Sequence, residues 1–541
     1  MSKVRTEPLS AKMHFAFKER CKQVKPPSSN TPIKEGQPIV FLWAIVKYTI
    51  AKLRGNHSLP SPPGPDQLPF LGAALQVDAN SPWLTYAQWA AKYGDIVSCR
   101  FFDKQVVILN SERVADDLLE RRSRIYSDRA EVSTIILSGW DFDFAFDRYG
   151  NDWRLHRRLF QQSFREQKVP DYQSTQRIAA HRLLINIGNN PAGNLWGLLS
   201  LCASSAILST VYGYDVNTLE DPLFTINDKA LETGSPLLTH EKSIIIDTFP
   251  FVKYLPIWFP GTSIVREILV AKHWSQLYVD FPYNFTMEKM RSNPTFPCAL
   301  SETIRSSEES GQNIPEYNLK KFAATAFVGG AETSSSVLQT LIVVLLQNPG
   351  VQKRAQDDIR AVVGSNRLPT FEDRSLLPYI DAVIREAMRW SPVTPLGIPH
   401  FSVEDDVYEG YFIPKGTTLT ANTWSMSRDP RRYPEPDTFR PERFLTKDGE
   451  LNSDDVRFTF GWGRRVCPGR YSAFAAIWMA VASMLTAYTF ERAQDDNGIE
   501  IEPIIEWSIG ASRKPKPLPL RVVPRFSQSK LEQMVNDAHH D

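Results

Sequence analysis

Cysteine is scarce in this chain of 541 residues: there are five, at positions 21, 99, 202, 298 and 467. An odd and widely scattered set speaks against a disulfide framework and fits a reducing, cytosol-facing environment. Excess charge of either sign is also missing, because 62 basic and 61 acidic residues leave a formal net charge of +1. That balance argues against a general nucleic-acid binder. No G-x-G-x-x-G follows a strand-like run, and the length leaves no room for flavin domains, so electrons for any redox reaction must come from another protein. An apolar run of bilayer length is lacking too. The strongest begins at Ile39, is interrupted by Lys47 and fades by about Leu53. At about 1.5 Å per residue, positions 39–53 cover roughly 22 Å against the roughly 30 Å of a hydrocarbon core.

What is present is a core-forming composition, with 42% hydrophobic and 11% aromatic residues, and one unusual loop. Phe460, Gly463, Arg465, Cys467 and Gly469 fall at the spacing F-x-x-G-x-R-x-C-x-G. Glycines let such a loop close tightly around the sulfur, and Pro468 is placed to open the helical run that follows. Neighbouring positive charge and a helix N-terminus favour the thiolate, so the thiol is expected to ionise readily. The bland alternative is a buried structural cysteine in a glycine-rich turn. No other cysteine or histidine lies close enough in sequence to make a zinc cluster with it.

The loop resembles the heme-binding loop of the cytochrome P450 family, most closely fungal microsomal-type members. That resemblance implies heme b, held by Cys467 as the axial thiolate and only metal ligand from the protein, with Phe460 and Gly469 shaping the loop. It covers the chain from the proline-rich hinge to about Arg525 and implies one large, mainly α-helical domain with a minor β-sheet region.

Three upstream groups gain meaning from this order. Gly329, Gly330, Ala331, Glu332 and Thr333 lie in a helical run from about Leu319 to Asn348 that is apolar on nearly all sides. Two glycines and a hydroxyl that bonds back to a carbonyl should distort that helix. By resemblance Thr333 hydrogen-bonds dioxygen and Glu332 relays protons from water, the alternative being a glycine pair that only allows close helix packing. Glu386 and Arg389, three apart on one helical face, would be worth a few tenths of a kcal/mol if exposed. Followed by Arg443, they resemble the family's buried charge network beneath the heme loop. Trp153 and Arg157, four apart, can reach one anionic group together, and by resemblance they bind a heme propionate with help from Arg465 and His400. His156 reads as an ordinary buried histidine. Arg154, Arg158, Arg464 and Arg470 form a basic surface for an acidic reductase.

The resulting expectation is a monooxygenase that uses dioxygen and two electrons from NADPH, through a separate NADPH-cytochrome reductase with cytochrome b5 as a second donor. Its pocket is expected to be lined by Phe327, Val328, Ala331, Val393, Leu396, Ile398, Ser508 and Ile509. Most are apolar, which suggests a lipophilic substrate, either a secondary metabolite or a xenobiotic. The run Pro395, Leu396, Gly397, Ile398, Pro399, His400 most resembles fungal members of that kind. Relatives that rearrange peroxides without a reductase commonly lack the acid and the alcohol, so Glu332 and Thr333 argue against that chemistry.

Five segments are expected: a basic N-terminal extension (1–37), a short apolar membrane-associating segment (38–54), a Pro-rich hinge (59–65), the catalytic domain (66–526) and a frayed polar tail (527–541). The basic residues before the apolar run would hold the N-terminus in the cytosol, so a shallow interfacial insertion at the endoplasmic reticulum membrane, on its cytosolic face, fits better than a full span. Helices are expected near 83–93, 112–122, 151–167, 174–188, 195–212, 264–290, 318–348, 350–363, 380–390 and 470–488. Strands fit 95–110, 400–419 and 500–523.

Overall fold

Apolar spacing and local caps decide where the helices lie. A computed structural model describes residues 59–191, 193–256, 259, 262–508, 510 and 512–540. The basic extension, the apolar segment at 38–54 and the pocket residue Ile509 lie outside the described residues. Helix α1 (Pro82–Tyr93) opens on its proline and buries Trp83, Tyr86 and Trp89. Then follow α2 (Asn151–Phe164), α3 (Val169–Asn189), α4 (Leu195–Tyr212), α5 (Pro222–Gly234), α6 (Ser263–Ser292) and α7 (Ala299–Glu309). The central helix α8 (Glu316–Gln347) precedes α9 (Pro349–Val363), α10 (Pro378–Trp390), α11 (Arg470–Ala487) and α12 (Gln528–His540). Asn194 and Asp221 cap α4 and α5 by accepting from the N–H groups of Gly197 and Leu223. Such caps satisfy donors that a helix start leaves orphaned.

The sheet is small. Strands β1 (Ile96–Phe101) and β2 (Lys104–Leu109) form a hairpin, and β3 (His400–Phe401), β4 (Asp406–Tyr408), β5 (Tyr411–Ile413) and β6 (Thr418–Ala421) come three hundred residues later. The main sheet has the order β1-β2-β6-β3, with β6 parallel to β2 and β3 antiparallel to β6. Two further antiparallel pairs join β4 to β5 and β7 (Tyr488–Arg492) to β8 (Leu520–Pro524). The mainly helical architecture with a minor sheet is therefore as the sequence implies.

Helix α8 is buried on almost every side between Lys321 and Leu346. It packs on α4, and α11 packs on α3, so these four helices build the centre. Among the described residues two helices, α4 and α8, are long and apolar enough to cross a membrane, yet both are mostly buried in this core. Two expectations are corrected here. Residues near 112–122 form a short α-helix and then a widened π-type turn, Asp116–Arg121, rather than one helix. The tail is not frayed: α12 buries Leu531, Met534 and Val535, whose i, i+3, i+4 spacing makes an apolar stripe that outweighs the polar composition.

Candidate active site

The loop around Cys467 is fixed by its own backbone and by α2. The Cys467 N–H donates to Phe460 O at 2.8 Å, and Phe460 packs edgewise on Phe474 at 5.3 Å. Gly463 has φ +56°, and a Cβ there would lie 2.3 Å from the Leu119 carbonyl oxygen. No other residue fits that position. Gly469 caps α11 and directs its N–H at the sulfur, as does Arg470. Arg157 on α2 donates to Val466 O at 2.5 Å. Burial pushes the Cys467 thiol up, while the Gly469 N–H and the charges of Arg157 and Arg470 pull it down. The expectation of ready ionisation is corrected in this respect, because desolvation is the largest influence. A cation bound to the sulfur offsets it, since a coordinating thiol is deprotonated outright.

Beside the loop lies an excess of buried positive charge. Arg465 donates to Ser127 O at 2.8 Å and Asp147 O at 2.7 Å, and its guanidinium stands 4.6 Å over the Trp153 ring. Its Nη1 is buried without a partner. Burial lowers Arg465 to about 10, which leaves it charged near neutrality. Arg129, passed over in the sequence, is buried next to it and donates to Ala145 O, Ile398 O and Pro399 O. Its pKa falls because of burial and because of Arg465. Two guanidinium groups in a desolvated site, one with an orphaned donor, call for an anion.

His400 does not share that task. Its Nδ1 lies 2.7 Å from Tyr126 O. A carbonyl only accepts, so Nδ1 carries the proton and Nε2 is left as an acceptor. Burial, Arg129 and Arg465 all oppose a second proton. The neutral ring presents an acceptor there, and the buried cation beside it is Arg129. His156 is fully buried, lies 3.8 Å from Asp147 Oδ2 and is lowered to about 4, mainly by burial, which keeps it neutral.

Glu386, Arg389 and Arg443 meet. Arg389 donates to both Glu386 oxygens at 2.6 and 2.8 Å, and Arg443 Nε donates to Oε1 at 3.0 Å. The backbone N–H of Arg440 adds a fourth bond at 2.8 Å. Glu386 and Arg389 are 0% exposed, so the few tenths of a kcal/mol of an exposed pair do not apply. Arg389 Nη1 also donates to Ser427 O and Arg443 Nη2 to Thr438 O, while the Arg440 and Arg443 bonds to Glu386 tie α10 to the 434–443 segment.

On α8 the expected break is absent. The helix is α-helical throughout, and Thr333 Oγ1 donates to Gly329 O at 2.6 Å. A carbonyl has two lone pairs and accepts the hydroxyl without giving up the ladder. The two glycines differ. A Cβ on Gly330 would lie 2.6 Å from Ile207 on α4, whereas Gly329 has open space and is exposed within an otherwise buried helix. Gly330 serves packing and Gly329 faces an opening, together with Thr333.

The pocket residues divide. Val393, Leu396, Ile398 and Ser508 are half-buried. Phe327 and Ala331 are buried, with Phe327 stacked on Tyr278 at 4.6 Å. Val328 is buried. Among the described residues no three His, Cys, Asp or Glu side chains could together hold a metal ion. The orphaned Arg465 donor beside Cys467 suits the carboxylates of a porphyrin.

Comparison with known proteins agrees with this geometry. The family model described as Cytochrome P450 matches residues 62–522. Cytochrome P450 monooxygenase ple1 of Rhodocybe pseudopiperita is 36% identical over 513 residues, covering 93% of this chain and 96% of its own. Cytochrome P450 monooxygenase 208 of Postia placenta is 34% identical, over 88% of this chain and 93% of its own. Tryptamine 4-monooxygenase of Psilocybe cyanescens is also 34% identical, over 91% and 97%. With matches this long, the chain belongs to the cytochrome P450 family and is a monooxygenase, an oxidoreductase that incorporates molecular oxygen.

Proposed function

We propose that this protein inserts one oxygen atom of dioxygen into a lipophilic substrate, a secondary metabolite or xenobiotic, with two electrons from NADPH delivered by a separate reductase and by cytochrome b5. The balance is substrate, dioxygen, NADPH and a proton in, hydroxylated product, water and NADP out. The observation that carries the reading is the buried, orphaned Arg465 donor beside a cysteine whose sulfur faces the Gly469 N–H and Arg157.

Heme b bound at Cys467 would supply a thiolate-ligated iron, a ligation that favours O–O cleavage. This chain's own residues do the rest. Cys467 would give the thiolate, and Arg157, Arg465 and Arg129 would neutralise the propionates, with the Trp153 indole N–H as a further hydrogen-bond donor. The Glu386, Arg389 and Arg443 network holds the loop. The Thr333 hydroxyl, whose own proton goes to Gly329 O, would offer its oxygen as an acceptor at the opening, and Glu332 would pass protons from water toward the oxygen being reduced. Gly329, Val393, Leu396 and Ile398 line an apolar space that excludes water from the reacting carbon. The relative named for tryptamine supports an aromatic ring as one substrate class.

The reading extends to the cytosolic face of the endoplasmic reticulum membrane. Exposed Leu75, Phe251 and Tyr254 support a membrane-surface contact. Protein with residues 38–54 intact that stays fully soluble through a carbonate wash would contradict it. The reaction is tested with added reductase and an apolar compound library read by mass spectrometry. Substrate-dependent NADPH consumption with a mono-oxygenated product is expected, and no turnover across the library counts against the reading. Cys467→Ala should remove the thiolate-specific absorbance of the reduced carbon monoxide complex.

A further inference from the structure

The segment after Trp507 reaches back onto α8. Ser512 donates its hydroxyl to Glu332 Oε1 at 2.5 Å, and at 8% exposure Ser512 leaves water little room to compete. A bond of this length to a carboxylate is charge-assisted and strong. The residues that present Ser512 are themselves braced. Ser508 N–H donates to Lys514 O at 2.8 Å, Lys514 N–H to Ser508 Oγ at 3.1 Å, and Ser508 Oγ to Ser512 O at 3.1 Å. Arg513 anchors the other side, with its N–H on Val393 O at 2.6 Å and its Nη1 on Ser391 Oγ at 2.5 Å. The Arg513 guanidinium also stands 3.4 Å over the Trp507 ring and 4.9 Å over the Trp424 ring.

A hydroxyl held this way does not follow the carboxylate; the flexible Glu332 side chain follows it. A proton relay works only when its carboxyl is within hydrogen-bond reach of the group it serves. We propose that Ser512 is a positioning residue for oxygen activation: it fixes the Glu332 carboxylate beside Thr333 and ties that arrangement to the pocket-lining residues around Ser508 and Val393. The inference rests on the reading of Glu332 as the proton relay. Ser512 keeps its own proton throughout. The transferred proton enters Glu332 from water and leaves toward the oxygen being reduced, and no bond to Ser512 forms or breaks.

The test compares S512A, S512T, E332A and S512A/E332A as heme-loaded full chains with reductase and a substrate found by the library screen. S512A should keep its heme and its carbon monoxide spectrum and lose about tenfold in product per NADPH, less than the roughly 10²–10⁴-fold of a removed proton-transfer group because Glu332 is displaced and not removed. The missing electrons should appear as hydrogen peroxide, and S512T should restore most of the coupling. S512A should also retain more of its peroxide-driven turnover than of its NADPH-driven turnover. E332A should lose more, with no further loss in the double variant. Apart from turnover, the melting shifts of the two single variants should be non-additive in the double, because the same contact is lost only once. Unchanged coupling in E332A would refute the relay reading itself. Impaired E332A with normal S512A would overturn the role of Ser512 alone, as would additive melting shifts or a Ser512 effect that persists without Glu332.

Discussion

Glu386 shows how burial changes the worth of a residue that looks ordinary in sequence. Its carboxylate accepts from Arg389, Arg443 and the Arg440 N–H, and removing it strands two cations in a dry site. Glu386→Ala should cost about 3–5 kcal/mol, the range for breaking a buried pair, and abolish heme incorporation, checked by chemical denaturation and by heme content after purification. Asp143 makes the opposite case. It is buried and raised to about 6, chiefly by desolvation, against Lys321 and the Ala145 N–H, which lower it. Folding thus favours its protonated form, so stability is intact below the ordinary value of 3.8 and falls as pH rises through about 6. Asp143→Asn, which can still accept from Ala145 N–H, should match the parent at pH 4 and gain up to about 3 kcal/mol above pH 7, two pKa units at about 1.4 kcal/mol each. Melting curves across that range give the sign directly. Residues of this kind separate what sequence discloses from what it hides. Cys467, Glu386 and Trp153 sit in spaced motifs. Arg129 sits in none, and it is buried only because Asp128 bridges to Phe401 of β3, far away in sequence.

Within elements, α8 separates two glycines that the sequence presents as a pair. On Gly330 a methyl group would press into Ile207 of α4, while on Gly329 it would meet nothing within 4 Å. Gly330→Ala should therefore destabilise by about 1–3 kcal/mol through overpacking. Gly329→Ala should stabilise by about 1 kcal/mol through helix propensity and at the same time narrow the opening beside Thr333. Melting temperatures should move in opposite directions, and bulky substrates should lose binding only in Gly329→Ala, followed by the spectral change they cause in the heme. The expected distortion of α8 failed for a related reason: glycine and threonine lower helix propensity, but flanking residues from Lys321 to Leu346 are buried and hold the helix in place. Helix positions were otherwise legible because their apolar spacing is strong. In α12 the same spacing was legible and was outweighed by composition, while the pairing of β2 with β6 across three hundred residues has no local signature at all.

At the scale of the molecule, the near-zero net charge hides a local excess. Arg154 and Arg158, one turn apart on α2, and Arg464 on the cysteine loop are exposed. Arg154 and Arg464 share one aromatic platform, standing 5.4 and 5.1 Å from the Tyr149 ring. Arg470, grouped with them by sequence, turns inward onto Cys467 O at 3.0 Å and Tyr471. A docking face for an acidic redox partner would therefore draw on three residues, set on the same helix and loop that hold Cys467 through Arg157 and Val466. Electrostatic steering acts on encounter more than on the bound state. Reversing both helix charges in R154E/R158E should slow heme reduction by the reductase about tenfold at low salt. The gap should close as ionic strength approaches about 1 M, where the Debye length is about 3 Å. Peroxide-driven turnover, which needs no reductase, should be the same in the variant and the parent. Stopped-flow reduction across a salt series decides the matter: a slowing that persists at high salt would mean that the two arginines act through structure rather than through charge, and equal rates at low salt would move the docking face elsewhere.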